Sequence, residues 1–89
     1  MEFEFDPAKS ASNAVKHGID FETAQELWRD TRRVQARART DDEPRFLTVG
    51  RIGLKVWSAI FTIRAGKVRI ISVRRARKEE EELYESEGI

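Results

Sequence analysis

Residues 45–73, RFLTVGRIGLKVWSAIFTIRAGKVRIISV, decide the fold. They hold three runs, RFLTVGR, LKVWSAIFTIR and VRIISV, rich in the β-branched and aromatic side chains that suit a pleated surface. Gly53 marks the tight connection between the first two runs, and Ala65-Gly66-Lys67 turns the second into the third. Strands joined by turns this short run antiparallel. The last two runs are apolar on both faces, which predicts central strands with elements packed on both sides. Just upstream, RRVQARAR alternates with period two. Arg33, Gln35, Arg37 and Arg39 fall on one side, and Val34, Ala36 and Ala38 on the other, the pattern of a strand with one wet face. DDEP, residues 41–44, then turns the chain into the meander.

Before these strands the pattern is helical. In DPAKSASNAVKHG, Asp6 is placed as an N-cap, Pro7 at the first helical position, His17 in the last turn and Gly18 just beyond it. Ala8, Ala11 and Val15 share a face and predict close packing on a sheet. Asp20 caps a second helix over FETAQELWRD, with Phe21, Ala24, Leu27 and Trp28 as its buried stripe. EFEF, residues 2–5, alternates and reads as a short first strand. A last helix, from about Ala76 to Ser86, has Ala76, Leu83 and Tyr84 to bury. Trp28 and Trp57 sit within apolar periods and are expected in the core. The class is therefore α+β in one domain, residues 1–89: strand, two helices, a four-stranded antiparallel meander and a C-terminal helix.

The 17 basic and 16 acidic side chains leave a net charge of +1, so bulk charge does not point to nucleic acid. Their placement does. Residues 29–39 hold five arginines and one acid, residues 64–78 hold seven bases and no acid, and the acids gather at 41–43 and 79–87. Cysteine is absent, which excludes disulfides, thiol nucleophiles and zinc-thiolate sites. His17 is the only histidine, no carboxylate spacing resembles a metal-ligand set, and the glycines match no phosphate-binding fingerprint, so neither a metal nor a cofactor is expected. The opening MEFEFDPAKS has no apolar run and no stretch approaches membrane-spanning length, which predicts a soluble cytoplasmic protein.

What remains is metal-free chemistry on RNA, which carries its own nucleophile in the 2′-hydroxyl. The protein need supply only a base, an acid and cations for the charge that builds on phosphorus. Two places concentrate such groups. Asn13, Lys16 and His17 share a helix face with Lys9 a turn earlier; the plain alternative is a polar outer stripe that complements the helix C-terminus. Arg74, Arg75, Arg77 and Lys78 precede Glu79, Glu80, Glu81 and Glu82, so a helix starting near Ala76 carries its charges against its own dipole. An anion gathered by Arg74, Arg75 and the free helix N–H groups would explain that order, with Glu80 and Tyr84 on the same flank. Pairs at i and i+4 explain it only in part. Arg33, Arg37 and Arg39 suit either backbone contacts to RNA or an edge strand protected from aggregation. A basic-faced module that binds RNA or protein without turnover is the alternative to an enzyme.

FEFDPAKSASNAVKHGIDFETAQELW, DDEPRFLTVGRIGLKVWSAIFT and VRIISVRRARKEEEELYE together resemble the BrnT toxins of bacterial type II toxin–antitoxin pairs, from about Phe3 to Glu85. Most specific are Asn13-x-x-Lys16-His17-Gly18 with Phe21-Glu22, Arg45-Phe46 with Gly50, and Ile71-Ser72-x-Arg74-Arg75-Ala76 with Glu80 and Tyr84. The resemblance implies a RelE-like fold and a metal-independent endoribonuclease that arrests translation. It also implies a BrnA-like ribbon-helix-helix antitoxin, a toxin–antitoxin heterotetramer, and operator DNA bound only through the antitoxin. Carried over by position, Lys16, His17, Arg74, Arg75, Glu80 and Tyr84 become catalytic candidates and Arg45 an RNA contact beside Arg33, Arg37 and Arg39. Many relatives have Asp-Pro where this chain has Asp30-Thr31, followed by an unusually arginine-rich strand. The bases of 64–78 are expected to attract an acidic antitoxin segment that shuts out RNA.

Overall fold

The computed structural model describes residues 1–38 and 42–87, so Arg39 of the arginine stripe and Asp41 of the expected turn lie outside the described residues. The strands are β1 (Phe3–Glu4), β2 (Val34–Ala38), β3 (Arg45–Ile52), β4 (Lys55–Arg64) and β5 (Lys67–Arg75). They form one sheet in the order β1-β5-β4-β3-β2, antiparallel except for the short β1, which pairs parallel to β5 through Phe3 and Val68. Helices α1 (Pro7–His17) and α2 (Phe21–Ala24) precede β2, and α3 (Lys78–Glu87) follows β5. The chain is thus the expected α+β arrangement of a strand, two helices, an antiparallel meander and a C-terminal helix.

The punctuation works as its chemistry requires. The Asp6 carboxylate accepts from the Ala8 amide, Pro7 opens α1, and Gly18 closes it in the left-handed conformation with φ 77°. Asp20 caps α2 by accepting from the Thr23 amide. The expected second helix is only one α-turn, however, and continues as a 3-10 segment over Gln25–Arg29. At the β4–β5 hairpin both Ala65 (φ 51°) and Gly66 (φ 77°) take positive φ, as a type I′ turn demands, although alanine there is strained.

Register separates two unequal cores. Under α1 and α2 lie Trp57, Ala59, Phe61, Val68, Ile70 and Val73, packed on Ile19, Phe21, Ala24 and Leu27. Trp28 closes this layer edge-on to Phe3 and Phe61, with ring centroids 5.1 and 5.2 Å away. Trp57 is a core residue, as expected, and Trp28 is partly buried against that core. On the opposite face α3 covers only one end, where Tyr84 meets Val49 and Val56 beside Val34, Leu47 and Ala76. The central strands are not covered on both sides along their whole length, because α3 is one short helix with one buried aromatic ring.

The packing face of α1 differs from the apolar reading. Val15 is 89% exposed and Ala8 and Ala11 face solvent, while Ser10 and Asn13 are buried. The helical period is right and its phase is off by one residue. The reason is that α1 docks through polar groups. Ser10 Oγ accepts from the Phe21 amide at 2.9 Å, and the Asn13 side chain donates to the carbonyls of Ile19 (2.8 Å) and Val73 (2.9 Å) while accepting from the Val73 amide (3.2 Å). Beyond β1, which reaches only as far as Arg69, β5 has an open edge; Asn13 fills it at Val73 as a neighbouring strand would.

Candidate active site

The docking of Asn13 carries the rest of the α1 stripe to β5. Lys9, Ser12, Lys16 and His17 line a shallow depression of about 210 Å³ together with Ile71 and Ser72. Three potential cations and no acid surround it. A larger hollow of about 570 Å³ beside Phe3 and Trp28 includes the carboxylates of Glu22 and Glu26 in its wall. Arg29 also lines it, but two acids against one base make it a poorer place for a phosphate than the acid-free depression, so size does not mark the site.

Arg74 lies two residues beyond Ser72, opposite Ser58 on β4. Its guanidinium grips Glu80 with two bonds, Nη1 to Oε1 at 2.7 Å and Nη2 to Oε2 at 2.9 Å. Glu80 Oε1 also accepts from Ser58 Oγ (2.9 Å) and from the Arg77 amide (2.8 Å). The hydrogen bond from Arg74 is the largest influence on this carboxyl; burial opposes it, and with the Arg77 and Ser58 bonds the acid is pulled down to about 2. The same pair holds the Arg74 proton more tightly than usual.

These contacts correct the reading of the charge order. Arg74 and Arg75 are strand residues, and α3 starts at Lys78, so Glu79, Glu80 and Glu81 occupy the first turn that the dipole favours. The Arg77 carbonyl accepts from the Glu80 and Glu81 amides while the Glu80 side chain returns to the Arg77 amide, one half of a capping box. The expected start near Ala76 is two residues early, because the strand runs on to Arg75.

Arg75 turns to the other face, its guanidinium 5.6 Å from the centroid of the Trp57 ring. Tyr84 does not join Glu80 at the arginine. Only 7% exposed, it donates to Asp30 Oδ2 at 2.6 Å. Burial pushes the Tyr84 hydroxyl up, and the neighbouring Asp30 adds to it. Asp30 is a hub that also accepts from the Arg51 amide (2.9 Å) and the Arg32 amide (2.9 Å). Burial works to raise its carboxyl, but the bonds from Tyr84, Arg51 and Arg32 outweigh it and hold the acid below its ordinary range. Gly50 lies against this hub, where an added Cβ would meet Leu27 at 3.2 Å and Asp30 at 3.4 Å.

Four of the seven bases of 64–78 have acidic partners. Arg64 pairs with Glu43, Lys67 with Glu2, Arg69 with Glu4 and Arg74 with Glu80. Glu43, Glu2 and Glu4, distant in sequence, neutralise part of the charge that was expected to attract an acidic segment, while Arg75, Arg77 and Lys78 have no acid at salt-bridge distance among the described residues. Arg33, Arg37 and Arg45 lie elsewhere: Arg37 is on β2, three strands and about 14 Å from β5 at the usual spacing, Arg33 immediately precedes β2, and Arg45 opens β3, two strands from β5. Arg33 sits 5.9 Å over the Trp28 ring and donates to Gln35 and Thr48, whereas Arg37 is exposed. Arg45 is half-buried, and its Nε is buried without a hydrogen-bond partner.

Sequence reasoning missed Ser58 and Asp30; it grouped Asn13 with Lys9, Lys16 and His17, as the depression does, but did not foresee that Asn13 is buried against β5. Only Asp30 left a local signal, as an acid whose side chain bonds the amide two residues on at a turn. Among the described residues no three His, Cys, Asp or Glu side chains converge as metal ligands, and no helix is long and apolar enough to cross a membrane. A comparison with curated proteins gave no match. The model of one family, described as the ribonuclease toxin BrnT of type II toxin–antitoxin systems, matches residues 5–80. With that match spanning the depression, Arg74 and Glu80, the chain belongs to the BrnT family of ribonuclease toxins, whose type II systems supply a protein antitoxin as partner.

Proposed function

We propose that this toxin is an endoribonuclease that cuts RNA without a metal in the depression between α1 and β5, and so inhibits translation in the cytoplasm. The observation that carries this reading is the convergence of Lys16 and His17 on Ser72, two residues from an arginine held by two bonds to Glu80, a carboxylate that Ser58 and the Arg77 amide also hold. In the reaction a base takes the proton of the 2′-hydroxyl, the 2′-oxygen bonds to phosphorus, and the 5′-oxygen leaves with a proton from an acid. His17 and Lys16 are the proton-carrying groups that line the depression. Arg74 faces the growing negative charge; a guanidinium already held in place spends little reorganisation when that charge appears.

Glu80 then acts as a positioning residue. A carboxyl pulled down to about 2 is a weak base and is almost never protonated at neutral pH. Tyr84 braces α3 on Asp30. Arg75 holds RNA backbone at the rim, and Arg45 holds it farther across the sheet, at the start of β3. A BrnA-like ribbon-helix-helix antitoxin silences the toxin in a heterotetramer, which reaches operator DNA through the antitoxin.

The test is incubation of purified protein with RNA in excess EDTA. The expected products carry 2′,3′-cyclic phosphate ends at an undiminished rate. Activity lost in EDTA and restored by Mg²⁺, or RNA bound without cleavage, would overturn the reading.

A further inference from the structure

The two edges of the sheet end differently. On the β5 side the open backbone is occupied, by β1 as far as Arg69 and by the Asn13 amide at Val73. On the other side β2 is the last strand, paired with β3 over five residues without a bulge, and Gln35, Ala36 and Arg37 are exposed. No proline interrupts it. Such an edge presents unpaired N–H and C=O groups to any extended chain that fits.

Charge selects the chain. Among the described residues Arg37 has no acidic partner at salt-bridge distance, in contrast with Arg64, Lys67, Arg69 and Arg74. A second copy of β2 brings another Arg37 and no acid to the edge, so self-pairing adds positive charge and neutralises none. An acidic strand is attracted instead. Register adds a pattern: Gln35 and Arg37 share one face of the sheet, and Val34, Ala36 and Ala38 the other. A segment alternating acidic with small apolar residues would place its carboxylates beside Arg37 and its apolar side chains beside Ala36.

We propose that the outer edge of β2 receives an extended acidic segment of the protein antitoxin, which adds a sixth strand to the sheet. This rests on the reading that an antitoxin silences the toxin by covering it, and it names the surface and the chemistry of the covering segment.

The probe is the peptide acetyl-SEVEVES-amide, followed by backbone amide shifts of the full-length protein with no RNA present. Two further peptides carry N-methyl groups, one on the glutamate amides and one on the valine amides. In an added strand only one of these sets faces β2. The expected result is binding that shifts the Val34–Ala38 amides, at least tenfold weaker for one methylated peptide and retained by the other. Arg37→Glu should weaken binding by roughly tenfold, and the lysine peptide acetyl-SKVKVKS-amide should bind at least tenfold more weakly. Equal binding of both methylated peptides would mean charge attraction without strand pairing and would overturn the proposal. So would shifts confined to other strands, absence of binding, or displacement of the peptide from β2 by a single-stranded RNA oligonucleotide. Because no cleavage is measured, failure here leaves metal-free RNA cleavage standing, and failure in the EDTA assay leaves this edge standing.

Discussion

The β5 edge and the β2 edge both carry arginines, and the fold uses them in opposite ways. At β5, Asn13 closes the open backbone, Glu80 fixes Arg74, and Lys9, Lys16 and His17 of α1 line one bay with Ile71 and Ser72, two residues along the strand from Arg74. At β2 the backbone stays open and Arg37 stays exposed. The difference teaches that arginine density does not mark a reaction site. A guanidinium held by its neighbours can meet a charge that exists only briefly, whereas a solvated one can only attract.

The sharpest way to break this contrast is to reopen the closed edge. Asn13→Ala leaves the Val73 amide and the carbonyls of Val73 and Ile19 without partners in a buried place, and should cost about 2–4 kcal/mol, at roughly 1–3 kcal/mol for each orphaned group with partial relaxation. Urea unfolding measures it; a loss under about 0.5 kcal/mol would show that Asn13 does not close the edge.

Glu80→Gln comes next. Because Glu80 is pulled from 4.5 down to about 2, its contribution to stability is complete above pH 4.5 and fades as pH falls toward 2. The variant should be less stable at pH 7, and its stability should change less with pH across that window. Parallel curves for both proteins would contradict the ion pair.

Tyr84→Phe separates the bay from the α3 anchor. Losing a bond to a charged carboxylate should cost about 1.5–3 kcal/mol in urea unfolding. RNA cleavage should continue at the parent rate wherever the variant is folded. A drop in cleavage by a folded variant would return Tyr84 to the chemistry. The smallest effect belongs far from both edges: Ala65→Asn, at a positive φ in the β4–β5 turn, should gain about 0.5–1 kcal/mol.

Much of this architecture was legible in the residues. Asp6, Pro7, Gly18 and Asp20 announced their helices because a cap needs only a local bond, and period two exposed the strands. The phase of α1 was not legible, since apolar residues predict a buried face only where burial is what docks the helix; here Ser10 and Asn13 dock it by hydrogen bonds. The bond between Tyr84 and Asp30, 54 residues apart, leaves no trace in any periodicity. The acidic partners of Arg64, Lys67 and Arg69 were equally hidden, which made a run with four of its seven bases paired read as wholly free.

The central claim is that an arginine fixed by Glu80 beside the α1 stripe meets the transferred phosphorus. Arg74→Lys tests it most directly, because lysine leaves Glu80 a cation and avoids a buried orphan charge, yet cannot reproduce the two-pronged grip. Single-turnover cleavage of RNA should fall on the order of a hundredfold while the unfolding midpoint moves little. A folded Arg74→Lys protein that cuts within about twofold of the parent rate, against the hundredfold expected for a preorganised charge partner, would contradict it.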